Sequence, residues 1–282
     1  MAKGCCLCGA LAYELDGPFS AMMHCHCSMC RKHHGTGFAT FAVAPIAGFR
    51  WISGEDKLTR YRSSPNGVRG FCSLCGSAGP TTMPAHGIAV APAACLEGDL
   101  GIKPQSHIFV GSKAPWDEIT DALPQHDAYP PGIDAQGVAR PVVTPRPGIT
   151  EGSCLCSEVA YEITGAPVRM MYCHCGRCRL GRAAAHAANL FYKLDQFHWV
   201  RGASLVKEYK VPDARFHTIA FCTRCGAKVP RQSTERGIVI VPAGSLDTDP
   251  GMRAEAHIFV ADKAPWFDIA GTMPQFAQMP PA

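Results

Sequence analysis

Cys25-His26-Cys27-Ser28-Met29-Cys30-Arg31 places three thiols within six residues, and it returns 148 positions later as Cys173-His174-Cys175-Gly176-Arg177-Cys178-Arg179. Thiols this close converge readily on one ion, whereas a disulfide inside such a group would constrain very little chain. Three thiolates occupy three corners of a zinc tetrahedron and leave the fourth to another donor. The remainder of the chain reads as scaffold around two such open sites.

The repetition extends well beyond the thiols. Gly4-Cys5-Cys6-Leu7-Cys8 matches Gly152-Ser153-Cys154-Leu155-Cys156, and Trp51 and Tyr61 match Trp199 and Tyr209, all at an offset of 148. The second copy then gains two residues, and the offset becomes 150: Phe71-Cys72-Ser73-Leu74-Cys75-Gly76 pairs with Phe221-Cys222-Thr223-Arg224-Cys225-Gly226. At the same offset His107-Ile108-Phe109-Val110 and Lys113-Ala114-Pro115-Trp116 pair with His257-Ile258-Phe259-Val260 and Lys263-Ala264-Pro265-Trp266. So long a period describes a duplicated domain, not a solenoid. The copies span 1–131 and 148–282, each long enough to bury a core, and the proline-rich 132–147 joins them as a partly extended linker.

Apolar runs are short, of period two or continuous, and bounded by glycine and proline, as in Leu11 to Leu15, Phe38 to Val43 and Ile238 to Val241. They predict strands, so the fold class is mainly β, small sheets clipped by metal. Pro115 and Pro265 allow a short helical turn in which Trp116 and Trp266 serve the core.

Spacing also partitions the thiols. Cys25, Cys27 and Cys30, like Cys173, Cys175 and Cys178, can wrap one ion each. Cys6 and Cys8 lie two apart on a strand and face one way, and Cys72 and Cys75 form a zinc-knuckle turn. Cys6, Cys8, Cys72 and Cys75 therefore predict a closed structural zinc site, and Cys154, Cys156, Cys222 and Cys225 its copy. His26 either completes the open site or turns away to a hydrogen bond. Cys5 and Cys95 have Ser153 and Ser245 as counterparts and read as ordinary small residues. His107 and His257 head apolar strands, where a structural role is expected, and Arg31 and Arg179 follow the open sites, placed to meet an anion.

Hydrophobic residues make up 47% and charged ones 18%, the balance of a globular chain. No apolar run approaches the ~20 residues of a membrane span, and Met1 to Cys6 lacks the apolar core of a secretory signal. A cytoplasmic protein without a membrane partner is expected, and there sixteen cysteines favour metal over disulfides. Ligating thiols lose their protons. Two closed zinc sites at about −2 each and two open ones at about −1 each bring the formal +4 to about −2. No basic run exceeds Arg31-Lys32, so nucleic acid is not an expected partner.

Together, G-x-C-x-C-G-x-x-x-Y, C-H-C-x-x-C-R-K-x-x-G, F-C-x-x-C-G and H-I-F-V-x-x-K-x-P-W resemble the glutathione-dependent formaldehyde-activating (GFA) family, which also includes centromere protein V. The resemblance covers both copies. It implies a Mss4-like (β-tent) fold, a structural zinc on the CxC and CxxC pairs, a second zinc on CxCxxC, and a carbon–sulfur lyase activity joining formaldehyde to glutathione, as in S-(hydroxymethyl)glutathione synthase. Soft thiolate donors suit a substrate thiol as fourth ligand, and Arg31 and Lys32 would then meet glutathione carboxylates. The second copy has Leu180 in place of Lys32, and Phe38-Ala39-Thr40-Phe41 becomes His186-Ala187-Ala188-Asn189. On this reading glutathione prefers the first copy. A non-catalytic zinc-stabilised module binding small thiols or a protein remains the alternative, and the copies could pack as a pseudo-dimer.

Overall fold

A computed structural model describes residues 1–65, 67–131 and 143–280. The fold is mainly β, as expected, and each copy repeats the same sheets. In the first, Ala2–Cys5, Ala12–Leu15 and Phe49–Ser53 form an antiparallel three-stranded sheet. A mixed six-stranded sheet runs Gln125–His126, Ser106–Ile108, Ala21–Cys25, Ala39–Pro45, Ile88–Pro92 and Thr81–Met83. The hairpin Leu58–Ser64/Gly67–Cys72 carries the knuckle at its end. The second copy builds the same six-stranded order from Gln275–Phe276, Ala256–Ile258, Arg169–Cys173, Ala187–Lys193, Ile238–Pro242 and Arg231–Ser233. Its hairpin is Val206–Lys210/Thr218–Cys222. Two short helices, α1 (Ser28–His34) and α2 (Gly176–Arg182), follow the thiol motifs. Of the expected linker, 132–142 lies outside the described residues.

The core is shared in a way the repeat did not reveal. Strands Ala39–Pro45 and Ile88–Pro92 line the first half with Ala42, Ala44, Ala89 and Ala91, all fully buried, leaving room beside Tyr13 and Met22. Trp266 and Phe267, from the second copy, fill that room. Reciprocally, Ala114 and Trp116 of the first copy pack on Tyr161, Met170, Leu190 and Val239 of the second. The two tryptophans are core residues, as expected, but each belongs to the other half's core. A buried indole is one of the largest apolar contributions a side chain makes, so the halves complete one another.

The contact at the knuckles is reciprocal too, as in an isologous dimer. Gly76 turns with φ +74°, and a Cβ there would meet the Phe221 ring at 2.4 Å. Gly226 (φ +71°) stands in the same relation to Phe71. The glycine that lets the knuckle fold under a metal thus also admits the partner copy's ring.

Helix α1 docks on the second half. Lys32, 3% exposed, donates from Nζ to Ser153 O at 2.7 Å, Ser153 Oγ at 3.1 Å and Ser245 O at 3.2 Å, and pairs with Asp247 Oδ1 at 2.6 Å. This corrects the expectation that Lys32 meets a substrate carboxylate, because its ammonium is committed to the interface. At the matching place on α2, Leu180 packs on Ala78, Cys95 and Ala183. The exchange of Lys32 for Leu180 goes with those of Ser153 for Cys5 and Ser245 for Cys95. One side of the interface is polar and the other apolar. Arg31, also expected at the ligand, sets its carbonyl so close to Gly244 that a Cβ there would lie 2.2 Å away.

Candidate metal centres

Four sets of thiols converge. Cys6, Cys8, Cys72 and Cys75 form one four-membered group and Cys154, Cys156, Cys222 and Cys225 the other, while Cys25, Cys27, Cys30 and Cys173, Cys175, Cys178 form two trios. Within each set every sulfur lies within 4.8 Å of the others. This is the expected partition, and all sixteen cysteines are free. Sulfur pairs stand at 3.5 Å (Cys6 to Cys8), 3.7 Å (Cys8 to Cys72), 3.4 Å (Cys154 to Cys156) and 3.9 Å (Cys156 to Cys222). A disulfide would bring them to about 2.05 Å. Four sulfurs at about 2.3 Å from a tetrahedral zinc are separated by about 3.8 Å. The donor sets fit a metal ion of that size.

Local structure aims each thiol. Cys5 to Cys6 leave the first strand in a turn where Leu11 N donates to Cys6 Sγ at 3.2 Å, and Val159 N does the same for Cys154 at 3.3 Å. Cys27 caps α1, its sulfur accepting from Cys30 N at 3.3 Å, and Cys175 caps α2 likewise at 3.4 Å. Such donors favour the thiolate. Crowding also divides the trios: bonds from Cys25 and Cys30 hold Cys27 well below the ordinary thiol range, while Cys25 is pushed well above it by Cys27 and Cys30. Three thiols this close cannot all ionise without a cation among them.

The Cys-His-Cys motif is two-faced. Extended backbone alternates its side chains, so Met23, Cys25 and Cys27 cluster with Cys30 and Ile108, while His24 and His26 face the other way. His26 shares a 2.8 Å hydrogen bond between its Nε2 and His107 Nδ1, and its Nδ1 lies 3.5 Å from Asp117 Oδ2. His107 Nε2 in turn reaches Asp121 Oδ1 at 3.0 Å. His26 is therefore turned away from the thiols, as its alternative reading had it, and His107 is tied to it and to Asp121. His174 and His257 repeat the pair at 2.8 Å. His26, His107 and His257 border a cavity of about 420 Å³ between the halves.

The surroundings of the two trios differ, and sequence reading missed the residues responsible. At the first, Arg69 Nη1 donates to Cys30 Sγ at 3.5 Å, and Tyr129, edge-on to Phe109 at 4.8 Å, packs against the cluster. At the second, Cys178 lies on the wall of a pocket of about 150 Å³ with Arg182, His217, Arg231 and Arg236 around it. The available signal was subtraction of the copies: Arg69 aligns with Ile219, and Arg231 and Arg236 align with Thr81 and His86.

The model of the family described as glutathione-dependent formaldehyde-activating enzyme matches residues 1–112 and again 149–262. A Halomonas elongata protein provisionally named a glutathione-dependent formaldehyde-activating enzyme is 29% identical over 127 residues, 42% of this chain and 81% of the relative. A crystal structure of a Rhodobacter sphaeroides protein, 29% identical, matches 34% of this chain and 89% of its own, with a TM-score of 0.29 that carries no weight for the fold. With both halves matched by one family model, the chain belongs to the glutathione-dependent formaldehyde-activating family and carries its domain twice.

Proposed function

We propose that this protein is a zinc-dependent carbon–sulfur lyase that joins glutathione, or a related thiol, to formaldehyde or another small electrophile. The observation that carries the reading is the contrast between two complete sets of four thiols and two sets of three. A set of three leaves one corner for a substrate sulfur. Zinc, when bound there, supplies a soft Lewis acid that keeps a thiol deprotonated near neutral pH. In the reaction the glutathione sulfur adds to the aldehyde carbon, a C–S bond forms, the C=O π bond breaks, and the thiol proton ends on the new hydroxyl.

The protein's own residues prepare this. The capping amides of Cys30 and Cys178 hold the Cys27 and Cys175 sulfurs on their metal-facing side. Burial of Cys25, Cys30 and Cys178 keeps water from competing for the donors. The closed sets, three of whose four thiols are buried in each, serve structure.

The test is the rate of S-hydroxymethylglutathione formation from ¹³C-formaldehyde, followed by exchange NMR with zinc-loaded protein. Acceleration over the spontaneous rate, lost in a variant with both Cys27→Ser and Cys175→Ser, is expected. An unchanged rate with stoichiometric zinc present would refute the lyase reading.

A further inference from the structure

A duplicated site starts symmetric, so a difference between copies at otherwise matched positions records what each now does. In the first half the hairpin pairs Tyr61 with Arg69, and in the second it pairs Tyr209 with Ile219. Arg69 therefore projects onto the thiols from a place where the second half offers only a methyl-tipped chain. Tyr129, packed on the first trio, aligns with Met279. The first trio is closed by its own guanidinium and phenol.

The second trio opens instead onto its cationic pocket. Arg182 is buried, 7% exposed, and donates to Asn189 Oδ1 at 3.0 Å. Arg236 lies over the Phe216 ring at 5.3 Å. Among the described residues, none of Arg182, Arg231 and Arg236 is ion-paired with a carboxylate. Glu208 acts on Arg231 from beyond ion-pair distance, but no carboxylate among the described residues lines the pocket, so the guanidiniums gathered there suit an anion and their fork geometry a carboxylate. The counterparts in the first half are His34, Thr81 and His86.

We propose that the second half is the one that takes substrate, with Arg182, Arg231 and Arg236 receiving a carboxylate of an anionic thiol whose sulfur reaches the Cys173, Cys175, Cys178 trio, while Arg69 closes the first trio to substrate. This reverses the preference for the first copy drawn from Lys32. It rests on the reading of the trios as thiol-accepting sites.

The experiment uses the full chain loaded with cobalt(II), glutathione and neutral 2-mercaptoethanol as probes, and both the sulfur-to-cobalt absorption band and calorimetry as readouts. Glutathione is expected to change the band in Cys27→Ser and not in Cys175→Ser. Arg231→Ala and Arg236→Ala should each weaken glutathione about tenfold or more while leaving 2-mercaptoethanol binding unchanged. Arg69→Ile should add a second binding event for 2-mercaptoethanol. Glutathione acting through the first trio, or arginine variants that weaken both thiols alike or neither, would overturn the inference. Should neither thiol perturb the cobalt band in any variant, the proposed function falls as well.

Discussion

Lys32 of the first half and Asp247 of the second form a buried ion pair at 2.6 Å, with Ser153 Oγ donating to the other oxygen of the same carboxylate at 2.6 Å. The Lys32 side chain is 4% exposed, and four oxygens of the other half surround its ammonium. It therefore sets how the halves dock.

Lys32→Ala should cost about 3–5 kcal/mol, because Asp247 is left without its cation in a largely dry place. Replacing both, as Lys32→Leu with Asp247→Leu, should recover most of that loss, since a well-packed apolar pair often matches a buried ion pair. Chemical denaturation of the starting chain, Lys32→Ala and the double variant measures it. Glutathione affinity should stay within twofold of the starting chain, about 0.4 kcal/mol; a tenfold loss in Lys32→Ala would return Lys32 to the substrate.

The exchanged tryptophans give a second expectation. Trp116→Ala should cost about 3–5 kcal/mol and loosen the core around Tyr161 and Val239, which lies in the other half. Residues 1–131 and 143–282, made separately, should each expose an unfilled core and aggregate, and made together they should associate. Two separately soluble, zinc-loaded monomers would contradict the exchange.

What could be read from the sequence follows the range of the forces involved. Metal ligands two or three residues apart, strand alternation and turn glycines are local, so Cys6 with Cys8, the Cys72 and Cys75 knuckle and the duplication were legible. Trp116 was legible as core, but not whose core, because equivalent copies satisfy the pattern equally well unexchanged. Lys32 looked like a substrate contact because it stands two residues from Cys30; its partners are more than a hundred residues away. The covarying differences between copies (Lys32 with Leu180, Cys5 with Ser153, Cys95 with Ser245) were the trace of that contact. Arg69 stands near Cys72, and Arg231 and Arg236 follow Cys225, but all three lie far in sequence from the trios they meet, and only the hairpin and the neighbouring sheet edge bring them there.

Removal of one closed-set thiol should act differently from removal of a trio thiol. Cys72 and Cys222 sit at 0% exposure beside the Phe71 and Phe221 contact, so loss of either ligand disturbs both halves at once. Cys72→Ser or Cys222→Ser should unfold the chain cooperatively, since a structural zinc is worth about 10 kcal/mol or more in small domains. Cys27→Ser should lower zinc content while the circular dichroism melt stays nearly unchanged. If Cys27→Ser melts as early as Cys72→Ser, the division into closed and open sites is wrong.

Acid should destabilise the fold through histidines as well as through thiolates. His34, 1% exposed at the interface, donates from Nδ1 to Arg182 O at 2.8 Å and Ala183 O at 3.0 Å. Burial, with Lys228 and Arg69 adding, draws its pKa down to about 3 from the ordinary 6.5. Burial, with His34 adding, holds His33 well below its ordinary range too. Both rings are neutral in the fold, whereas an unfolded chain protonates them below about pH 6.5. Their contribution is thus complete above pH 6.5 and is lost as pH falls toward 3, with a slope of up to about 1.4 kcal/mol per pH unit for each ring. His34→Asn keeps a donor near Nδ1 and removes the titration, so its unfolding free energy should fall with a slope shallower by about one proton. Zinc release, read in the same samples with a colorimetric chelator, separates the two causes. Equal slopes in both proteins, following zinc release alone, would mean that the buried histidines do not govern the acid response.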